Sequence, residues 1–162
     1  MLATADVSRT TESSAPVSQE ILLAQAVGSK CINTVVTDDA MGLPPEFDPS
    51  SERYQDPKLP GWDSSNLPPS KLGHQEAEQT LGLHSLGVLP KYQGKGYGKI
   101  MLKAYIERMR DAGVAKRIAL IAHDHLVGFY KGFGFVDIGE SEVRLGGGGW
   151  RNMVGDFKTI PF

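Results

Sequence analysis

The stretch Gln93-Gly94-Lys95-Gly96-Tyr97-Gly98-Lys99 decides how this chain is read, because it joins a strand-like run to a helix-like one. Upstream, Leu81–Leu89 alternates as a strand and is stopped by Pro90. Downstream, Lys99–Ala112 carries apolar residues at positions 101, 102, 105, 106 and 109, which is one helical face, and Gly113 supplies a stop. The first N–H groups of a helix have no partner within it, and its dipole favours negative charge there. Glycines allow the backbone angles that turn such groups inward and let a pyrophosphate approach without meeting a Cβ. Lys91, Lys95 and Lys99 add positive charge in or beside the turn. The turn reads as a phosphate-binding element, with a plain glycine connection as the alternative.

Two common nucleotide loops do not fit. A Walker loop needs Ser or Thr after its lysine, and Lys99 is followed by Ile100. A dinucleotide fingerprint needs a third glycine where Lys99 or Met101 stands. Charge supports an anionic ligand nonetheless. The chain has 162 residues and a formal charge of −2, but residues 91–131 hold nine Lys/Arg against three Asp/Glu, whereas residues 1–80 hold five against twelve. The basic half suits phosphates and the acidic half a cationic partner.

Working outward, residues 1–20 are rich in Ser, Thr and Ala without helical or strand period and read as a disordered tail. A domain is expected over 21–162, with a first strand at Ile21–Ser29. Seven of the ten prolines lie between 41 and 70, so residues 44–80 read as one long Pro-rich loop facing the substrate. The core spans 81–157. Arg117–Ala122 reads as a strand covered on both faces, Leu126–Lys131 as a short helix, and Phe135-Val136, Glu142–Leu145 and Trp150–Phe157 as further extended segments around four glycines at 146–149. The fold class is therefore α/β (α+β). A single Cys31 excludes an intrachain disulfide and points to a reducing, cytoplasmic setting, and no run is apolar and long enough to span a bilayer.

The pattern Q/R-x-x-G-x-G/A, here Gln93 to Gly98, resembles the coenzyme A pyrophosphate loop of the GNAT superfamily of N-acetyltransferases. The likeness continues in order through the apolar strand Ile118–Ala122 and the element Phe129-Tyr130-Lys131-Gly132-Phe133-Gly134-Phe135. Leu83-His84-Ser85-Leu86-Gly87-Val88, His123-Asp124-His125 and the Gly-rich tail ending in Trp150 resemble the fungal-type arylalkylamine or polyamine branch, and Val36–Met41 is similar to a segment after an early strand of that group. Members begin with a strand and two helices that this chain lacks before Ile21, so it resembles an N-terminally shortened member. Loss of that cover would expose apolar surface and invite self-association.

The resemblance implies a mixed, mostly antiparallel sheet flanked by helices and splayed at the acetyl-CoA site, and direct acetyl transfer from acetyl-CoA to a small primary amine. It implies a cofactor site of Gln93, Gly94, Lys95, Gly96, Tyr97, Gly98 and Lys99, with backbone groups of Leu86 and Val88 along the pantetheine arm. His84 is the candidate base, with a buried structural histidine as the alternative reading; its reference pKa of about 6.5 suits that work. Tyr130 is the candidate acid for the departing thiolate, with aromatic packing as the alternative. Animal relatives carry H-x-H where this chain has Gly82 and His84, so a two-histidine relay does not transfer. His123, Asp124 and His125 are adjacent and cannot converge on one ion, so no metal is expected, and Asp124 reads as a helix N-cap. His74 reads as solvated. The competing functions are a coenzyme A-binding module without catalysis and, more distantly, a nucleic-acid binder using Lys91, Lys95, Lys99, Lys103 and Arg108.

Overall fold

The computed structural model describes residues 2–9, 17–43 and 70–161. Among these, six strands form one sheet in the order β1-β2-β3-β4-β6-β5: Leu2–Arg9 (β1), Val17–Cys31 (β2), Thr80–Val88 (β3), Arg117–Ala122 (β4), Val136–Glu140 (β5) and Arg151–Asp156 (β6). All neighbouring pairs are antiparallel except β3 with β4. The helices are Tyr97–Asp111 (α1) and Asp124–Lys131 (α2). This is the mixed, mostly antiparallel sheet with flanking helices that the resemblance implies.

α1 forms where the 3.6-residue period places it. Met101, Leu102, Tyr105 and Ile106 are its buried residues and Met109 packs beside them. Its end is closed by Gly113, whose N–H donates to the Arg110 carbonyl at 2.9 Å while the Val114 N–H reaches Met109 at 3.4 Å. Arg108 and Arg110 in the last turn complement the helix dipole. β4 is covered on both faces as its apolar run predicts, with Ile118, Ala119 and Leu120 all buried.

Three boundaries differ from the sequence reading. The expected disordered tail contains β1, and β2 begins four residues before Ile21; the edge strand β1 and the start of β2 are held to each other by ladder hydrogen bonds, which need no apolar pattern. α2 begins at Asp124, so the N-cap is His123 and no side chain caps it; Asp124 instead sits in the first turn, where its charge favours the dipole. Glu142–Leu145 is not a strand, since β5 ends at Glu140 and a short 3-10 turn covers Leu145–Gly147. Of the expected loop 44–80, residues 44–69 lie outside the described residues.

One close approach fixes β2 against its neighbours. A Cβ on Gly28 would come within 2.5 Å of both the Gly82 carbonyl oxygen on β3 and the Tyr105 hydroxyl on α1. Burial pushes the Tyr105 phenol up to about 12, so it stays neutral in this contact. Gly28→Ala is expected to lower stability by about 3 kcal/mol, since neither the strand backbone nor a buried tyrosine can give way. Gly128→Ala, inside α2 with nothing within 4 Å of the new methyl group, is expected to raise it by about 0.5–1 kcal/mol. Chemical denaturation of both variants checks the pair; equal midpoints would refute the account of Gly28.

Candidate active site

The sheet opens at its centre. β3 and β4 pair only at Thr80–Arg117, Leu81–Ile118 and Gly82–Ala119, although β3 runs on to Val88 and β4 to Ala122. β3 stays paired with β2 along its whole length, so the parting lies on its β4 side. Leu86 and Val88 pack against the helix-side core and their backbone borders this gap.

Beyond Val88 the chain turns into the glycine loop. Gly94 and Gly96 have φ of +72° and +86°, and a Cβ at either would meet nothing within 4 Å. The open space shows that backbone angle, and approach from outside, are what glycine supplies here. Gly96 is the N-cap of α1 with no side-chain cap, and the first hydrogen bond of the helix runs from the Ile100 N–H to the Gly96 carbonyl at 3.1 Å. The N–H groups of Tyr97, Gly98 and Lys99 therefore precede the helical ladder. Lys95 and Lys91 stand 5.4 and 5.9 Å from the centre of the Tyr92 ring, which meets Tyr97 edge to face at 6.1 Å. The Gln93 amide donates to the Val88 carbonyl at 3.0 Å, so it ties the loop to the end of β3. An uncapped helix start, two left-handed glycines and a fringe of lysines fit a pyrophosphate.

His84 is the extra residue of a β-bulge: Val27 pairs with Ser85 and Gly28 with Leu83, leaving His84 between them. Gly28 projects towards Tyr105 and so belongs to the helix-covered face. Its neighbour Ser29 points to the other face, where its Oγ lies 2.6 Å from His84 Nε2. His84 Nδ1 is buried with no partner. Burial lowers the His84 pKa below its ordinary value, because a desolvated imidazole resists charge.

Tyr130 is on the helix-covered face, 8% exposed, edge to face with Phe129 at 5.0 Å and Phe135 at 5.7 Å. Burial raises its phenol above the ordinary value. The structure thus sets His84 and Tyr130 on opposite faces of the sheet.

The remaining histidines hold chain segments in place. The His123 ring stacks on Trp150 at 3.8 Å and its Nδ1 lies 3.3 Å from the Gly149 carbonyl, pinning the glycine run to the start of α2. The His125 ring lies near-parallel to that of His123, with centroids 6.0 Å apart. His74 accepts the Lys30 N–H at 3.2 Å and meets Glu76 at 2.8 Å, so it is a clamp beside β2. Sequence reasoning missed Ser29, which lies 55 positions from its partner. It also missed a pocket of 420 Å³ whose walls include Val36, Asp38, Asp39, Glu140, Glu142 and Asn152.

A model of the family described as Acetyltransferase (GNAT) family matches residues 54–135. Serotonin N-acetyltransferase of Mesocricetus auratus is 31% identical over 86 residues, 52% of this chain and 42% of that protein. The Homo sapiens serotonin N-acetyltransferase is 30% identical over 102 residues, 62% and 49% of the two chains. Among solved structures, the ribosomal-protein-S18-alanine N-acetyltransferase of Escherichia coli is 19% identical, covering 51% of this chain and 60% of that one with a TM-score of 0.41. The chain spans about half the length of the curated relatives it matches. Among the described residues, no helix is long and apolar enough to cross a membrane.

Proposed function

The chain belongs to the acetyltransferase (GNAT) family, and from that premise we propose that it transfers an acetyl group from acetyl-CoA to a primary amine of a small molecule, an arylalkylamine or polyamine, as in the fungal-type branch it resembles. The observation that carries this reading is the uncapped start of α1, behind the left-handed Gly94 and Gly96, placed where β3 and β4 part. A coenzyme A-binding module without catalysis would need the same cradle; the half-buried His84 and the buried Tyr130, on opposite faces of the sheet, favour the enzyme.

The loop Gln93–Lys99 holds the pyrophosphate through the N–H groups of Tyr97, Gly98 and Lys99, with Lys95 and Lys99 supplying charge. Leu86 and Val88 present backbone groups to the pantetheine arm, which lies in the gap as an added strand would. When bound, acetyl-CoA supplies the activated acyl carbon. An alkylammonium with a pKa of about 10.4 is almost wholly protonated at neutral pH, a penalty of roughly 4–5 kcal/mol for a nucleophile. His84 removes that proton at Nδ1, its unpartnered ring nitrogen, in the tautomer whose Nε2–H donates to Ser29 Oγ. Tyr130 gives its proton to the departing sulfur as the N–C bond forms and the thioester C–S bond breaks.

Release of coenzyme A thiol, measured with the full chain and a panel of arylalkylamines and polyamines, tests the reading. Turnover is expected, with kcat level through neutral pH and falling only below about 6.5, the ordinary histidine value, because the His84 pKa is lowered. Thiol release no faster than background with every amine, alongside retained acetyl-CoA binding, would leave the non-catalytic module standing. An acid limb at or above the ordinary histidine pKa would remove His84 as the base.

A further inference from the structure

Lys91 and Tyr92 stand beside the glycine loop with no part in the acetyl transfer described above. Both lie in a short 3-10 turn, Pro90–Tyr92, between the end of β3 and the loop. The turn is closed: the Tyr92 N–H donates to the Leu89 carbonyl at 2.8 Å and the Gln93 N–H to the Pro90 carbonyl at 3.2 Å. Pro90 fixes the first backbone angle. The half-buried Tyr92 ring is therefore set before any ligand arrives. It meets Tyr97, the first residue of α1, edge to face at 6.1 Å, so it stands next to the start of the helix that cradles the pyrophosphate.

The surroundings of this ring are cationic. The ammonium groups of Lys95 and Lys91 lie 5.4 and 5.9 Å from its centre, within the range of a cation–π contact. Among the described residues no ion pair joins either lysine to a carboxylate. The sequence holds no Asp or Glu between Glu78 and Glu107. Two like charges on one exposed ring repel each other, and an anion beside them turns that repulsion into attraction.

Coenzyme A has a group of that kind beyond its pyrophosphate. Its ribose carries a 3′-phosphate, a monoester with about 1.5–2 negative charges at neutral pH, and an adenine whose flat face stacks on aromatic rings. The start of α1, with Lys95 and Lys99, answers the pyrophosphate, which leaves Lys91 and the Tyr92 ring for the nucleoside. We propose that Lys91 and Tyr92 form the subsite for the 3′-phosphoadenosine end of coenzyme A, so that this chain selects coenzyme A over acyl donors that lack the 3′-phosphate. The Lys91 ammonium donates to the 3′-phosphate. The Tyr92 ring stacks on the adenine with the face that Lys91 leaves as it turns to the phosphate, and Lys95 is shared between the two phosphate groups. This subsite rests on the acetyltransferase reading above and extends it from the acyl thioester to the far end of the donor.

Calorimetry on the full chain, with coenzyme A and 3′-dephospho-coenzyme A as the two probes, tests the assignment. Coenzyme A is expected to bind at least about tenfold more tightly, as one charge-assisted hydrogen bond would give. Lys91→Gln is expected to cut that preference to about threefold or less by weakening coenzyme A alone. Tyr92→Leu is expected to weaken both nucleotides by about fivefold or more with their ratio kept, and Tyr92→Trp, which keeps a stacking face, to bind both within about twofold of wild type. Equal affinity of the wild type for the two nucleotides, or a preference that survives Lys91→Gln, would overturn the subsite while leaving the acetyltransferase reading intact. Wild-type binding by Tyr92→Leu, or a loss there that tryptophan does not restore, would remove the adenine from this ring. Binding of neither nucleotide by the wild type would overturn the acetyltransferase reading and the subsite together.

Discussion

Tyr130→Phe is expected to lower kcat about a hundredfold, the lower end of what a positioned acid contributes, and to leave the Kd for acetyl-CoA within about twofold. Two features of the site point to that split. The phenol is buried and its pKa raised, so at neutral pH it holds a proton, as an acid for a thiolate must. A free thiol titrates near 8.5 and tyrosine near 10, so transfer to the departing sulfur is uphill in water by about 2 kcal/mol or more. The acid therefore has to be held in place rather than supplied by solvent, and phenylalanine keeps the ring but not the proton. Packing against Phe129, at 5.0 Å, and Phe135, at 5.7 Å, survives the substitution, so the core and the adjoining gap keep their shape. Steady-state rates together with calorimetric acetyl-CoA binding separate the two effects. Unchanged kcat would reduce Tyr130 to a packing residue, and a matched loss in affinity would make it part of the cofactor cradle.

The parts of this molecule that were legible in the sequence are those governed by local rules. α1 was legible because its buried face repeats with the helical period and Gly113 ends it, and β4 because an unbroken apolar run of five residues, Ile118–Ala122, has few other uses. The glycine loop was legible because it must satisfy backbone angles that side chains resist. β1 was not, since an edge strand paired to β2 is held by main-chain hydrogen bonds with little demand on composition. The bulge at His84 leaves no mark in a strand whose alternation simply slips by one. Contacts across long separations were equally silent. Ser29 meets His84 from 55 positions away, and Asp38 fixes Arg144 from 106. The acidic pocket joins residues 35–39 to 140–152, so the negative charge of the front half, visible as a count, acquires a location only when the chain folds. The helix start at Asp124 shows the finer limit. Both His123 and Asp124 are plausible neighbours of a first turn, and only the extended backbone of His123, with φ −71° and ψ 155°, decides between them.

Gly96→Asp is expected to weaken acetyl-CoA binding about a hundredfold, and the reason is separable from bulk. Nothing lies within 4 Å of a Cβ at this position, so no clash arises within the protein. The first contribution is conformational: at φ +86° an L residue is disfavoured by roughly 1–2 kcal/mol. The second is electrostatic. A carboxylate at the N-cap would accept from the N–H groups of Gly98 or Lys99, the donors the pyrophosphate needs, and would repel the phosphates as well. Gly96→Ala carries only the first contribution and is expected to weaken binding by about tenfold or less, at 1.4 kcal/mol per tenfold. Because aspartate caps helices well, Gly96→Asp should keep α1 folded, and circular dichroism should show wild-type helix content. The two variants thus order the effects: alanine reports the backbone, and the difference between alanine and aspartate reports the competition for the helix N-terminus. Equal losses would mean that the cofactor depends on the turn's shape alone, whereas wild-type affinity in Gly96→Asp would place the phosphates elsewhere than at the start of α1.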